Sequence, residues 1–183
     1  APSLHYRHQL KPYPVVGIIS PWNVPLTLGL IDAVPALVAG CAVLLKPSEV
    51  TPRFAEPLQA AIAEVPELAR VLGIVTGGPE TGQALIDSVD AVCFTGSVPT
   101  GRKVAARAAA NFIPAFLELG GKDPAVVLPS ADLDNAATAI LRSAVGLTGQ
   151  ACQSLERIYV HESVFDEFLD LLVAKAESVE LNW

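Results

Sequence analysis

Apolar and polar positions alternate along the chain in a way that predicts short strands followed by helices. Apolar runs rich in β-branched residues end at Pro, Gly or Asn, and the segments between them carry apolar residues at helical spacing. The predicted strands cover residues 13–20, 41–45, 71–75, 91–94, 116–119, 125–128 and 157–160. The predicted helices cover residues 26–38, 51–63, 79–86, 99–110, 132–145 and 163–178. Strands that alternate with helices are typical of an α/β fold with an open, largely parallel sheet.

The strand–helix pattern stops at Gly120-Gly121 and then starts again. The five strands before this pair are enough for one sheet. The two strands after it would begin a second α/β domain. The sequence therefore predicts a domain boundary near Gly120-Gly121, followed by the opening part of a second domain.

Composition and charge exclude several classes of protein. Of the 183 residues, 51% are hydrophobic and 17% charged, which favours a folded globular chain over a disordered one. The net charge of −7, without a basic cluster, argues against a nucleic-acid partner. The longest apolar run, residues 24–45, is interrupted by Pro25, Asp32, Pro35 and Gly40, so we expect no membrane partner. We expect a cytoplasmic protein.

Cysteine and histidine are too few and too scattered for a disulfide framework or a metal site. The three cysteines stand at positions 41, 93 and 152, and the three histidines at 5, 8 and 161, without the spacing of metal ligands. Cys41 and Cys93 lie in apolar segments, where cysteine behaves as a small buried hydrophobe. Cys152 lies in a polar, Gly-containing loop that can expose a reactive thiol. Cys152 is the candidate nucleophile, and no metal is expected.

Four of the first five predicted strands end in segments that contain polar and turn-forming residues. They are Ser20-Pro21-Trp22-Asn23, Lys46-Pro47-Ser48-Glu49, Phe94-Thr95-Gly96-Ser97 and Glu118-Leu119-Gly120-Gly121. Any one of them alone is more typical of an ordinary turn. Ligands of open parallel sheets bind at the carboxyl ends of the strands, so four such ends on one edge indicate a binding site.

Two features of this edge suit a nucleotide. Residues 96–101 (G-S-V-P-T-G) follow a strand and open a helix, where backbone N–H groups can hold a phosphate, although the segment is not a G-x-G-x-x-G fingerprint. Glu49 follows the second strand, where a carboxylate can bind ribose hydroxyls, although it could equally be an ordinary solvated side chain. From the residues alone, the dinucleotide signal is weak.

Five ordered motifs resemble those of the aldehyde dehydrogenase superfamily. They are Pro21-Trp22-Asn23, Lys46-Pro47-Ser48-Glu49, Phe94-Thr95-Gly96-Ser97, Leu117-Glu118-Leu119-Gly120-Gly121-Lys122 and Gly149-Gln150-x-Cys152. The order matches the family pattern, as do the 23 positions from Asn23 to Lys46 and the 34 from Glu118 to Cys152. The resemblance covers essentially the whole chain and implies that it is a central fragment of such an enzyme.

The resemblance implies a catalytic role for three residues. Cys152 would attack the aldehyde, Asn23 would hold the resulting oxyanion, and Glu118 would activate the water that hydrolyses the thioester. The cofactor would be NAD, with NADP possible. The implied cofactor-binding residues are Ser20, Pro21, Trp22, Lys46, Ser48, Glu49, Gly78, Gly82, Phe94, Thr95, Gly96, Ser97, Leu119 and Gly120.

The resemblance also implies a domain plan and partners. Residues 1–12 would end an oligomerisation arm, residues 13–120 would belong to a Rossmann-like NAD(P)-binding domain, and residues 121–183 would open the catalytic domain. The full-length enzyme would act on a small aldehyde as a homodimer or homotetramer. The isolated fragment would be inactive.

Two alternatives stay open. One is a CoA-acylating semialdehyde dehydrogenase, against which Glu118 argues, because that branch of the family usually lacks a base at this position. The other is a truncated polypeptide with a non-catalytic binding or structural role. Gln153-Ser154 replaces the small residues that many members carry after the nucleophile, which leaves the identity of the aldehyde open.

Overall fold

The structure is a computed structural model that describes residues 4–180. It forms two compact units, the first extending to Leu119 and the second starting at Gly120. The division therefore falls at the glycine pair where the sequence pattern restarts. Residues 4–14 form neither helix nor strand. The first three residues of the predicted arm and the last three of the predicted catalytic domain lie outside the described residues.

The first unit is built on one parallel sheet of five strands. They are β1 (Val15–Ile19), β2 (Ala42–Lys46), β3 (Leu72–Ile74), β4 (Ala91–Gly96) and β5 (Ala115–Leu119). The strand order is β3-β2-β1-β4-β5, and every neighbouring pair is parallel. This confirms the predicted open parallel sheet.

Helices connect these strands. They are α1 (Pro25–Leu30), α2 (Ala33–Ala39), α3 (Ala55–Ala63), α4 (Pro66–Ala69), α5 (Pro79–Ile86) and α6 (Val98–Ala110). A 3-10 turn, Pro52–Phe54, precedes α3. The prediction of one helix over residues 26–38 was wrong, because α1 and α2 are separate. Pro35 has no N–H to donate to the carbonyl of Ile31, so the helical hydrogen-bond ladder is interrupted there.

Each face of the sheet buries its own core. One core packs α2 and α3 against the sheet through residues that include Ile18, Ala33, Leu45 and Ile62. The other packs α5 and α6 against the opposite face and includes Leu85, Val92, Phe94, Val104 and Ala108. Ile18, Leu45 and Val92 are at most 1% exposed, as expected for a sheet covered on both sides.

The second unit is a smaller α/β arrangement. Its elements are β6 (Asp123–Val127), α7 (Leu133–Val145), β7 (Leu155–Val160) and α8 (Phe165–Glu177). The two strands are parallel. The buried core between strands and helices contains Val127 of β6, Ala137 and Ile140 of α7, and Phe168 of α8.

Two helix starts in the second unit were predicted from the sequence. Asp132 was predicted to cap α7, and its carboxylate accepts a hydrogen bond from the backbone N–H of Asn135 at 3.1 Å. Ser163 was predicted to open the last helix. It instead lies in a 3-10 turn, Glu162–Val164, and α8 begins at Phe165.

Within residues 4–180, none of the helices combines the length and apolar character needed to cross a bilayer. The same residues contain no group of three or more His, Cys, Asp and Glu side chains placed to hold a metal ion.

Candidate active site

The parallel register brings the four polar strand ends to one edge of the first unit's sheet. Ile19 at the end of β1 pairs with Lys46 of β2 on one side and with Phe94 of β4 on the other. Gly96 at the end of β4 pairs with Leu119 of β5. The cofactor residues that the resemblance implies on these four strands therefore cluster along one edge.

Hydrogen bonds tie the segment after β1 to the segment after β2. The backbone N–H of Ser20 donates to the carbonyl of Lys46 at 3.1 Å. The hydroxyl of Thr51 donates to the carbonyl of Trp22 at 2.9 Å. Thr51 was predicted to cap the following helix, but it makes no side-chain cap hydrogen bond and holds the Trp22 loop instead.

Lys46 and Glu49 form an ion pair at this edge. The Lys46 side chain is 4% exposed, and its Nζ donates to Glu49 Oε2 at 3.2 Å and to the carbonyl of Pro47 at 3.1 Å. A backbone hydrogen bond and then the Lys46 hydrogen bond lower the pKa of the Glu49 carboxyl. The Glu49 side chain is 56% exposed, so an ionised carboxylate faces solvent beside a buried ammonium group. The pair offers both an acceptor and a positive charge to a polar ligand.

Two helices begin at the same edge. Gly78 stands at the N-cap of α5. Ser97 stands at the N-cap of α6, where its hydroxyl oxygen accepts from the backbone N–H of Thr100 at 3.4 Å. A Cβ added to Gly101 in the first turn of α6 would lie 2.6 Å from Leu119 Cδ2, so the start of this helix packs closely on the end of β5. Pro99 has no N–H, and the Thr100 N–H is already bonded to Ser97, so in the first turn of α6 the N–H of Val98 remains to hold an anionic group.

Asn23 and Glu118, two of the three predicted catalytic residues, both belong to the first unit. Asn23 follows β1 and is half-buried, whereas Glu118 lies on β5 opposite Thr95 and is exposed. The strand alternation places Glu118 on the same face of the sheet as Cys93.

Asp32 also lies near Glu118, and the sequence did not single it out as a site residue. Burial, and then the negative charge of Glu118, raise the pKa of the Asp32 carboxyl. Burial and the charge of Asp32 raise the pKa of the Cys93 thiol to about 11. The only sequence signal for Asp32 is a lone carboxylate inside the apolar run of residues 24–45.

Cys152, the third predicted catalytic residue, belongs to the second unit. Cys152 is exposed, whereas Cys41 is buried and Cys93 is half-buried. The Cys152 thiol donates a hydrogen bond to Gln153 Oε1, with 3.0 Å between sulfur and oxygen. The accessibility of the three thiols follows the order expected from their sequence surroundings.

The first unit also contains an open cavity of about 580 Å³ near the end of β3. It is lined by Pro52, Arg53, Ala55, Glu56, Gln59 and Thr76. The sequence did not predict these residues as a site, because the cavity forms where α3 packs beside β3, and no motif marks that contact.

Comparison with known proteins identifies the family. The family model described as "Aldehyde dehydrogenase family" matches residues 3–182. A chloroplastic betaine aldehyde dehydrogenase from Amaranthus hypochondriacus is 44% identical over 179 residues, which are 96% of this chain and 36% of that protein.

Two solved structures also resemble the chain. PutA from Anabaena variabilis, described as a candidate aldehyde dehydrogenase, has a TM-score of 0.90 and 63% identity over 92% of this chain and 36% of that chain. An aldehyde dehydrogenase from Mycobacterium tuberculosis, solved with NAD+, has a TM-score of 0.81 and 41% identity over 90% of this chain and 35% of that chain. The chain spans only about a third of these proteins, and it belongs to the aldehyde dehydrogenase family.

Proposed function

We propose that the chain is the central part of an enzyme that oxidises a small aldehyde to a carboxylic acid with NAD(P)+. The observation that carries the proposal is the exposure of Cys152 in its loop, where a thiol can reach a substrate. The family match and the polar edge of the parallel sheet support it.

The proposed first step forms a covalent bond to Cys152. The exposed Cys152 thiol loses its proton to solvent water, its sulfur then attacks the aldehyde carbon, and the carbonyl electron pair moves onto oxygen. The side-chain amide of Asn23 and the backbone N–H of Cys152 donate hydrogen bonds to that oxyanion. The carbon is now tetrahedral and can release a hydride as the C=O bond re-forms, which leaves a thioester on Cys152.

Glu118 acts in the second step. Its carboxylate takes a proton from water as the water oxygen attacks the thioester carbon. The C–S bond then breaks, the acid is released, and Cys152 returns as a thiolate. This base is the reason to favour hydrolysis over transfer of the acyl group to CoA.

The carboxyl edge of the sheet fits a dinucleotide cofactor. A bound nicotinamide cofactor would supply the hydride acceptor. Lys46 and Glu49 would hold the adenosine ribose, and Ser97 would contact the pyrophosphate at the start of α6. The pKa of Glu49 lies below its ordinary 4.5, so the carboxylate is ionised at neutral pH and can accept from a 2′-hydroxyl but repels a 2′-phosphate. We therefore propose NAD over NADP.

The division into arm, cofactor domain and catalytic domain remains a prediction. The same holds for the cytoplasmic location and for assembly into a homodimer or homotetramer.

The test is NADH formation with a simple aldehyde, measured on this chain and on a full-length version that contains it. In the full-length version, Cys152→Ser should abolish turnover. Cys41→Ser and Cys93→Ser are the matched controls, and they should change stability and leave the rate per folded enzyme near wild type. A Cys152→Ser enzyme with near-wild-type activity would refute the proposal.

A further inference from the structure

The loop that carries Asn23 connects β1 to α1, and its own sequence gives it little local support. Val24 stands at the N-cap of α1 but has no side-chain oxygen to accept from the free N–H groups of the helix. Pro25, the next residue, can start a helix but has no N–H to donate. The backbone of this loop therefore depends on contacts with other segments for its position.

Thr51 supplies one such contact from 29 positions along the chain. Its hydroxyl donates a hydrogen bond to the carbonyl oxygen of Trp22, with 2.9 Å between the two oxygens. The Trp22 oxygen belongs to the planar peptide group that also contains the backbone nitrogen and the Cα of Asn23. A restraint on the Trp22 oxygen therefore restrains the atom from which the Asn23 side chain starts.

The residues that follow Thr51 contact the other end of the loop. Phe54 lies in the 3-10 turn that comes directly after Thr51. A Cβ added to Gly29, a buried residue of α1, would lie 3.6 Å from Phe54 Cζ, so the Phe54 ring packs against this helix. Residues 51–54 therefore contact the chain both before and after Asn23.

An oxyanion donor acts only within a narrow range of positions. The donor atom has to lie about 2.7–3.1 Å from the oxygen that becomes negative in the transition state. A displacement of about 1 Å can lower a rate on the order of a hundredfold. A hydrogen bond that fixes the backbone of Asn23 therefore affects the rate of the reaction, in addition to any effect on stability.

We propose that Thr51 is a positioning residue for the oxyanion site, because its hydrogen bond to Trp22 keeps the Asn23 amide in place. The inference rests on the proposed role of Asn23 as an oxyanion donor. It adds a residue from outside the five sequence motifs, and this residue acts through Asn23.

The experiment measures acylation of Cys152 by p-nitrophenyl acetate in the full-length version, without cofactor. The Cys152 thiol loses its proton to solvent, and its sulfur attacks the ester carbon. The C–S bond forms, the ester C–O bond breaks, and p-nitrophenolate leaves and is measured by its absorbance. This reaction also passes through an oxyanion but needs no hydride acceptor, so it reports on the oxyanion site separately from the cofactor.

Thr51→Val keeps the shape of the side chain and removes the hydroxyl. It should lower the rate of the first p-nitrophenolate release about fivefold, whereas Thr51→Ser keeps the hydroxyl and should stay near the wild-type rate. Thr138→Val is the matched control, because the Thr138 hydroxyl also donates to a carbonyl at 2.9 Å, that of Asp134 in α7. This control should leave the rate unchanged. Circular dichroism checks that each variant is folded.

Two further measurements separate positioning of Asn23 from a general loosening of the segment. Asn23→Ala removes the donor itself and should slow acylation about a hundredfold. In that background, Thr51→Val should have no further effect, because the group that it positions is gone. In aldehyde oxidation, Thr51→Val should lower kcat about fivefold and leave the KM for NAD within about twofold of wild type. A raised KM for NAD at unchanged kcat would overturn the proposal.

A wild-type acylation rate in Thr51→Val would also overturn the proposal, and so would a Thr51→Ser enzyme that is as slow as Thr51→Val. A fivefold loss that persists in the Asn23→Ala background would overturn it, because the hydroxyl would then act elsewhere. A near-wild-type rate in Asn23→Ala would refute the proposed role of Asn23, and this inference with it. A slow Asn23→Ala combined with an unchanged Thr51→Val would refute this inference alone.

Discussion

Gly17 lies in the middle of β1, the central strand of the sheet, and its replacement by Ala tests the packing of the first unit. A Cβ at this position would lie 2.3 Å from Leu85 Cδ2 and 3.1 Å from both γ-methyl groups of Val89. Ordinary contact begins at 3.4 Å, so the Leu85 methyl would have to move by 3.4 − 2.3 = 1.1 Å. Leu85 is 3% exposed and lies in a packed core, where little space for such a movement exists.

We expect Gly17→Ala to lower the free energy of unfolding by about 3 kcal/mol, the upper part of the range for overpacked cores. β1 is hydrogen-bonded to β2 and to β4, so the strand cannot move away from Leu85 without disturbing its ladders. In a urea titration followed by circular dichroism, this loss corresponds to a midpoint lower by about 1.5 M, for a slope of about 2 kcal/mol per M.

Two other glycines serve as controls for Gly17→Ala. A Cβ on Gly73 in β3 meets only Leu44 Cδ1, at 3.3 Å, and a Cβ on Gly120 meets nothing within 4 Å. Gly73→Ala and Gly120→Ala should each change the free energy of unfolding by about 0.5 kcal/mol or less. In the background Leu85→Ala, most of the Gly17→Ala penalty should disappear, because the Leu85 methyl group that makes the shortest contact is gone. A Gly17→Ala cost equal to that of Gly73→Ala, or full additivity with Leu85→Ala, would refute the reasoning.

Three further predictions concern the carboxylates of the first unit. In the full-length version, Glu118→Gln should release a burst of about one NADH per working site and then turn over slowly, because the amide cannot take the proton from water. Rapid-mixing kinetics without a burst would contradict the role of Glu118 as the base. Wild type should prefer NAD over NADP. Glu49→Gln should lower the ratio of kcat/KM for NAD to kcat/KM for NADP by about fivefold, because the repulsion between Glu49 and the 2′-phosphate is lost. A wild-type preference for NADP would contradict the proposed role of Glu49. Burial raises the pKa of the Asp32 carboxyl in the folded chain. Protonation of Asp32 therefore stabilises the fold fully below pH 3.8, the ordinary pKa of the group. This stabilisation is lost as the pH rises through the raised pKa of the folded state. Asp32→Asn should therefore unfold at a higher urea concentration than wild type at pH 7, with a difference that vanishes in acid; equal midpoints at pH 7 would count against the burial argument.

The sequence predicted the strands and their common edge because both depend on local pattern. Buried strands of a parallel sheet are short apolar runs, and such runs are visible in the sequence. The helix over residues 79–86 was predicted with the bounds of α5, Pro79–Ile86, because Pro at its first position marks the start. The division of residues 26–38 into two helices was missed. The sequence does not distinguish a proline in the first turn of a new helix, as Pro35 is in α2, from a proline that interrupts one longer helix.

Contacts between distant residues were not predictable from pattern. The Thr51 hydroxyl could have capped the following helix, but in the folded chain it reaches the Trp22 carbonyl, 29 positions away. The proximity of Asp32 to Glu118 depends on the placement of α2 over the sheet, which no motif specifies. The left-handed backbone of Leu147 and Thr148 was missed for a related reason, because neither residue type favours that conformation and only the surrounding fold can impose it.

The strand order β3-β2-β1-β4-β5 has a consequence for where a ligand can enter the first unit. From β1 the chain continues outward to β2 and then to β3, and α2 and α3, which connect these strands, pack on one face of the sheet. The chain then crosses back to β4 and continues to β5, and the connecting helices α5 and α6 pack on the opposite face. Neighbouring strands β1 and β4 are therefore a topological switch point, where the segments leaving the two strands turn in opposite directions and open a crevice between them. This opening is made by the path of the backbone. Substitutions along its rim, among them Ser20 and Ser97, can change what the crevice binds without closing it.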